Sequence, residues 1–484
     1  MTRVFRICCV SMLAFQFSCT STDGWISLFD GETLNGWQAS ENPETWSVKD
    51  GALVTQGTRS HLFYTGEVSD HDFKNFEFTA EVMTKPGSNS GIYFHTEYQE
   101  KGWPSKGYEA QVINSAPETK PGEYIERKMT GSLYAIRNVW KTPAQDDEWF
   151  TYKIVVQGKT IRIFINDVQT VDYTEAENPF RPEDKKDRLL SSGTFALQGH
   201  DPGSVVYYKN IRVKLLPDDL PTPGTPEPDA DFDRRITQLS NDNFPLMDLH
   251  VHLKGGLEME PALENARKYG YTYGMAVNCG LQMGFESDAE VEEYLANYQK
   301  PPHTFLAMQA EGREWLDMFS KETIAKFDYV FTDGMTWTNN NGKRMRLWMP
   351  EETEIGDPQD FMEQLVDRTV AIISSEPIDL YVNPTYVPDE LNDRYDDLWT
   401  EARMDRVIQA LVENDVAMEL NDRRKIPSPA FIKRAKAGGV KFTFGTNNGG
   451  GDDLGKLAWC IEMVEECGLQ PADMWIPEKK GDGL

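Results

Sequence analysis

Two histidines two residues apart, His250 and His252 in the string DLHVH, form the densest metal-type signal in the chain. Residues i and i+2 of a strand face one side. Both imidazoles can therefore point into one cavity, the spacing that gives a single cation two nitrogen ligands. A second pair, Glu109 and Gln111 in YEAQV, places a carboxylate and an amide on one sheet face by the same rule. Of the other histidines, His61 and His71 lie in turn-like stretches and read as surface residues, and His303 begins its strand and reads as structural.

Two kinds of element must position these groups. Residues 25–216 alternate apolar and polar over short runs, among them FEFTAEV (76–82), GIYFH (91–95), YEAQVI (108–113), YKIVV (152–156), TIRIFI (160–165) and VVYYKNIRVKL (205–215). Period-two alternation without helices predicts an all-β sandwich, with Asn166-Asp167 as a hairpin turn. From residue 242 strand-like runs alternate with amphipathic helices in about seven βα units, which predicts a parallel barrel. The expected fold class is thus multi-domain, a jelly-roll sandwich (23–217) plus a seven-stranded α/β barrel (242–477). A Pro- and Asp-rich linker (218–241) joins them, and a tail (478–484) follows.

The 484 residues are too many for one core, and a net charge of −29 argues against a nucleic-acid partner, whose phosphates need Lys and Arg. Arg3 and Arg6 before an apolar run to Phe17 read as a signal peptide (1–19), too short to span a bilayer. Ser18-Cys19 resembles a bacterial lipoprotein signal, with ordinary cleavage as the alternative. The expectation is an exported periplasmic or outer-membrane lipoprotein that meets a membrane only through a lipid on Cys19. Cys8 and Cys9 also fall in this segment, and Cys279, Cys460 and Cys467 read as buried free thiols.

Barrel chemistry gathers at the carboxyl ends of the strands. Here those ends supply Asn278, Cys279, Glu311, Asp333, Asn383, Glu419, Asn421, Asn447 and Asn448 beside the two histidines. Arg423, Arg424 and Lys425 follow strand six, and Arg423 is the candidate to receive a substrate phosphate or carboxylate. DLHVH, Glu311 and GVKFTFGTNN resemble the polymerase-and-histidinol-phosphatase superfamily of metal-dependent phosphoesterases. That resemblance implies a divalent metal, zinc or manganese, on His250, His252, Glu311 and Asp333. Asn447 and Gly449 depart from the family's closing Asp and His, and Asn383 stands where a histidine is common, so a metal-free relic or a sugar-binding barrel is the alternative.

The strings WISLFDGETLNGW, WSVKDGAL, SNSGIYFH, GYEAQVIN, TGSLY, EWFTYKIVVQGKTIRIFIND and FALQGHDPGSVVYYKNIRVKLL resemble the 3-keto-disaccharide hydrolase domain family, with its concanavalin-like jelly roll. The resemblance implies a keto-glycoside substrate: a ketone at C3 acidifies the C2 proton, a base removes it, and the aglycone leaves C1. Glu109 is the expected base, His200 the acid or metal ligand, with Gln111 and His95 beside them. Trp103, Tyr134 and Trp140 are the expected stacking surfaces, and His95 replaces an arginine common in the family. The reading is an exported hydrolase or lyase of keto-glycosides with an accessory barrel. One alternative is a carbohydrate-binding sandwich that localises a metal-dependent phosphoesterase or amidohydrolase-like barrel; a weaker one is that both domains bind without turnover.

Overall fold

The computed structural model describes residues 23–116, 125–223, 229–455 and 457–477. The signal-peptide and lipid-anchor expectations on residues 1–19, with Cys8, Cys9 and Cys19, and the tail lie outside the described residues.

The N-terminal half is a sandwich of two antiparallel sheets, one of eight strands and one of five. The five-stranded sheet runs Trp37–Ala39, Ser60–Tyr64, Thr194–Gly199, Ser90–Thr96, Tyr108–Val112. Alternation decides its two faces. Ile92, Phe94, Tyr108, Ala110, Val112, Phe195 and Leu197 fill the core between the sheets. Tyr93, Glu109, Gln111 and Gln198 line a cavity on the other face. Asn166 and Asp167 (φ 48° and 65°) connect Thr160–Ile165 to Val168–Thr174, as the hairpin reading expected.

Seven parallel strands, Met247–Val251, Thr272–Cys279, Phe305–Ala310, Tyr329–Thr332, Leu380–Tyr381, Ala417–Asn421 and Phe442–Gly445, close into the C-terminal barrel. Helices such as Met259–Tyr269, Pro358–Ser375 and Glu401–Glu413 bury an apolar face. Lys321–Ile324, between the third and fourth strands, is a helix of a single turn. Cys279, Cys460 and Cys467 are buried free thiols.

The linker expected over 218–241 ends early, because Ala230–Asn241 is a helix. The Asp229 side chain accepts from the N–H groups of Asp231 and Phe232, an N-cap. Ile236 and Leu239 are buried in the barrel core, and Phe232 packs against the same core beside Tyr269. The prolines upstream obscured this 3.6-residue pattern.

The helix matters because it carries part of a domain interface. Segment 125–141 of the sandwich seats on the amino ends of the barrel strands. Arg137 forms a buried ion pair with Asp233 and donates to the carbonyl of Lys268 (2.7 Å). Asn138 Nδ2 donates to Ser240 O (2.8 Å), and Lys141 Nζ to Thr304 O (2.6 Å). Trp140 packs with Met247, Leu249, Phe305 and Tyr329 inside the barrel floor. Removing a tryptophan from such a setting costs about 3–5 kcal/mol.

Candidate active site

A cavity of about 310 Å³ opens on the outer face of the five-stranded sheet, within the usual size for small-ligand sites. Its floor is Glu109 and Gln111 from one strand, Tyr93 from the next and Gln198 from the third. Loops wall it with Trp103, Glu126, Tyr134, Lys185, Arg188 and His200.

Glu109 is buried and held from two sides. Arg188 Nη2 donates to its Oε2 (3.2 Å), and Gln198 Nε2 donates to its Oε1 (3.0 Å). Gly91 lets the carboxylate lie flat, since a Cβ there would stand 2.7 Å from Oε1. The Arg188 guanidinium lies 5.3 Å from the Tyr134 ring and 6.0 Å from that of Tyr93. Three buried polar atoms of the cavity, Arg188 Nη1, Gln111 Oε1 and Gln198 Oε1, have no hydrogen-bond partner among the described residues. Buried polar atoms are costly to leave unbonded, so at the surface of a cavity they bond water or a polar ligand.

On the rim, His200 Nδ1 lies 2.6 Å from Asp201 Oδ2, which fixes the ring and directs Nε2 away from that carboxylate. The Trp103 ring stands 5.2 Å from that of His200. Its loop is pinned by Glu41, which accepts from Arg59 Nε (2.7 Å) and Gly102 N (3.1 Å), while Arg59 lies 5.2 Å over the indole.

The structure therefore brings together Glu109, Gln111, His200, Trp103 and Tyr134, five residues expected from sequence. It separates two others. His95 takes φ 55° in a bulge of its own strand, Ser90–Thr96, where Phe94 and His95 together oppose Phe195, and this turns its ring away from the pocket face. Its Nε2 bonds Lys74 O (2.9 Å), its Nδ1 accepts from Ser191 N (3.2 Å), and burial lowers its pKa to about 4. His95 is structural. Trp140 lies in the barrel floor and offers no stacking surface to a sugar.

His61 also corrects the sequence reading. It is buried, with both ring nitrogens unpartnered among the described residues, between Tyr93 and Trp103 (ring centroids 5.5 Å from each). Burial, reinforced by Arg59, lowers its pKa to about 3. Its position in the strand Ser60–Tyr64 puts it beside the pocket; the adjacent Gly-Thr-Arg-Ser turn signal hid that. Gln198 shares a strand face with the pocket and was legible from alternation. Arg188 sits in an irregular loop, and no local pattern marks it.

The barrel mouth collects the polar strand ends in one ring. His250 Nδ1 lies 2.6 Å from Glu419 Oε1, and its Nε2 3.3 Å from Gln309 Oε1. Gly445 makes room, since a Cβ there would collide with Glu419. Glu311 accepts from Gln309 Nε2 (2.7 Å) and Asn278 Nδ2 (3.1 Å), and Asp333 accepts from Asn383 Nδ2 (3.0 Å). Burial and the neighbouring Asp333 raise the pKa of Glu311 to about 8; burial also raises that of Asp333. Burial lowers that of His252 to about 2.

Amide side chains stand among the expected ligands of a cation here. Among the described residues no three His, Cys, Asp or Glu side chains gather as a metal group, so His250, His252, Glu311 and Asp333 do not form one. Amides occupy the positions between them, where a divalent ion draws on carboxylate charge. Arg423 lies at this mouth, remote from the sandwich cavity, paired with Asp453 (3.3 Å) and donating to Asn447 O (3.2 Å). With Arg424, Tyr386 and Tyr395 it lines a second cavity of about 320 Å³.

Residues 24–214 match the family described as the 3-keto-alpha-glucoside-1,2-lyase-like domain. A 3-keto-disaccharide hydrolase of Bacteroides thetaiotaomicron is 29% identical over 231 residues, covering 40% of this chain and 79% of that protein. Among solved structures, a Parabacteroides distasonis protein assigned as a glycosyl hydrolase aligns at 22% identity and TM-score 0.34, over 40% of this chain and 95% of its own. The carbohydrate-binding module CBM66 of Bacillus subtilis aligns at 15% identity and TM-score 0.25, over 37% and 95%. The family match falls on the sandwich, and the barrel lies outside it.

Proposed function

We propose that the sandwich cleaves 3-keto-glycosides by elimination across C1 and C2. The observation that carries this reading is the buried Glu109–Arg188 pair on the cavity floor, with Arg188 Nη1 beside it unpartnered among the described residues. The Glu109 carboxylate takes the C2 proton, and Arg188 Nη1 donates to the oxygen at C3 as enolate charge develops there. The electron pair then forms the C1–C2 double bond as the C1–O bond breaks. His200, oriented by Asp201, gives a proton to the departing oxygen, and water added across the double bond returns the free 3-keto sugar. Trp103 and Tyr134 offer ring faces to the substrate. The family match and the similarity to a 3-keto-disaccharide hydrolase support the substrate class. The leader supports export, with Cys19 as the lipid-bearing residue; loss of radiolabelled palmitate from the Cys19→Ser chain is the test.

The decisive measurement is proton exchange at C2. A 3-keto-glucoside incubated with the full chain in D₂O should release its aglycone and gain deuterium at C2, and Glu109→Gln should stop both. A chain that binds the sugar with neither release nor exchange would be a binding module.

A further inference from the structure

The barrel holds the wall of the sandwich cavity. Glu126 and Tyr134, both lining that cavity, lie on the segment that docks against the barrel. They are fixed to one another and to a buried cation. The Tyr134 hydroxyl donates to Glu126 Oε2 (3.1 Å), and Lys128 Nζ donates to both Glu126 oxygens (3.0 and 3.3 Å). Lys128 Nζ also stands 4.8 Å from the Tyr134 ring, whose surroundings include Arg188 at 5.3 Å. The same Nζ reaches across the interface to Asn243 Oδ1 (3.3 Å), and Asn243 Nδ2 returns a hydrogen bond to Ile125 O (3.1 Å).

We propose that Asn243, which leads into the first barrel strand, is a positioning residue for the sandwich site, acting through Lys128 on Glu126, Tyr134 and Arg188. This rests on the reading of the cavity as the place of reaction. The physical basis is the cost of a buried ammonium. The Lys128 side chain is 2% exposed, so its charge must be satisfied by fixed oxygens, and one of them belongs to the barrel. Without it the ammonium shifts toward Glu126 or toward water. Either motion moves the Tyr134 ring and the guanidinium packed on it, and through that the carboxylate of Glu109. The barrel is then part of the sandwich's machinery even with no chemistry of its own.

Asn243 has φ 60°, so Asn243→Gly keeps a backbone that glycine adopts freely while removing both side-chain bonds. Asn243→Asp keeps an acceptor for Lys128 and loses only the donor to Ile125. In the full chain, N243G should lower kcat on a 3-keto-glucoside at least about tenfold, as small misplacements do. KM should change less, and N243D should recover most of kcat. Amide hydrogen exchange over residues 125–141 should rise in N243G and stay low in N243D. Unchanged kcat in N243G, or unchanged exchange over that segment, overturns the proposal. If the wild-type chain fails to act on the keto-glucoside but exchange rises in N243G, the anchoring stands and the proposed reaction falls.

Discussion

Arg188 and Glu109, 79 positions apart, meet at 3.2 Å on the floor of the sandwich cavity, with the second guanidinium nitrogen of Arg188 unpartnered among the described residues. One group can thus hold the carboxylate in place and still face a substrate oxygen. The planar fork of an arginine fixes both directions at once, whereas the donors of a lysine ammonium rotate on a flexible stem.

Arg188→Lys should therefore keep most of the stability and lose kcat by about 10²-fold or more, the scale seen when one donor to a developing oxyanion is removed. Arg188→Met leaves a buried carboxylate unpaired and should also cost about 3–5 kcal/mol in urea unfolding. Full kcat in both variants would take Arg188 out of the chemistry.

Glu109→Gln keeps the shape of the side chain and removes the base. Turnover and C2 exchange should drop by about 10²–10⁴-fold. Ligand affinity, measured by calorimetry with the unreacted sugar, should change little.

His200→Ala removes the expected proton donor to the leaving oxygen. Loss should approach about 10²-fold for alkyl aglycones and shrink for p-nitrophenol, which leaves without a proton. Asp201→Asn should fall between. An equal loss on both substrate types would assign His200 to another step.

The Arg137–Asp233 pair is buried across the domain interface. Arg137→Met should destabilise by about 3–5 kcal/mol, while Arg137→Met with Asp233→Leu should recover much of it, because no unpaired charge remains. Urea unfolding curves of the two variants measure this directly.

Glu311 carries a folded-state pKa of about 8, above its ordinary 4.5. Between those values the folded barrel binds a proton that the unfolded chain has released, so this group's contribution falls as pH rises through that window. Glu311→Gln should raise Tm more at pH 9 than at pH 5. A loss of Tm at both pH values, reversed by added zinc or manganese, would restore the cation reading of the barrel.

Period-two and 3.6-residue patterns determined the two architectures, because burial of one face forces them locally. They also placed Glu109 with Gln111, and the polar residues at the barrel's strand ends. Three things were decided by tertiary structure alone. A positive φ at His95 turned a pocket candidate into a core residue, and no spacing rule contains that rotation. Arg188 reached Glu109 from an irregular loop, where nothing local fixes a side chain's direction. The helix Ala230–Asn241 and Trp140 joined the domains, since an interface arises from surfaces far apart in sequence. The His250/His252 pair shows both sides: its spacing put the imidazoles in the barrel mouth, and the packing of Glu419 and Gln309 decided that His250 faces hydrogen-bonding partners there.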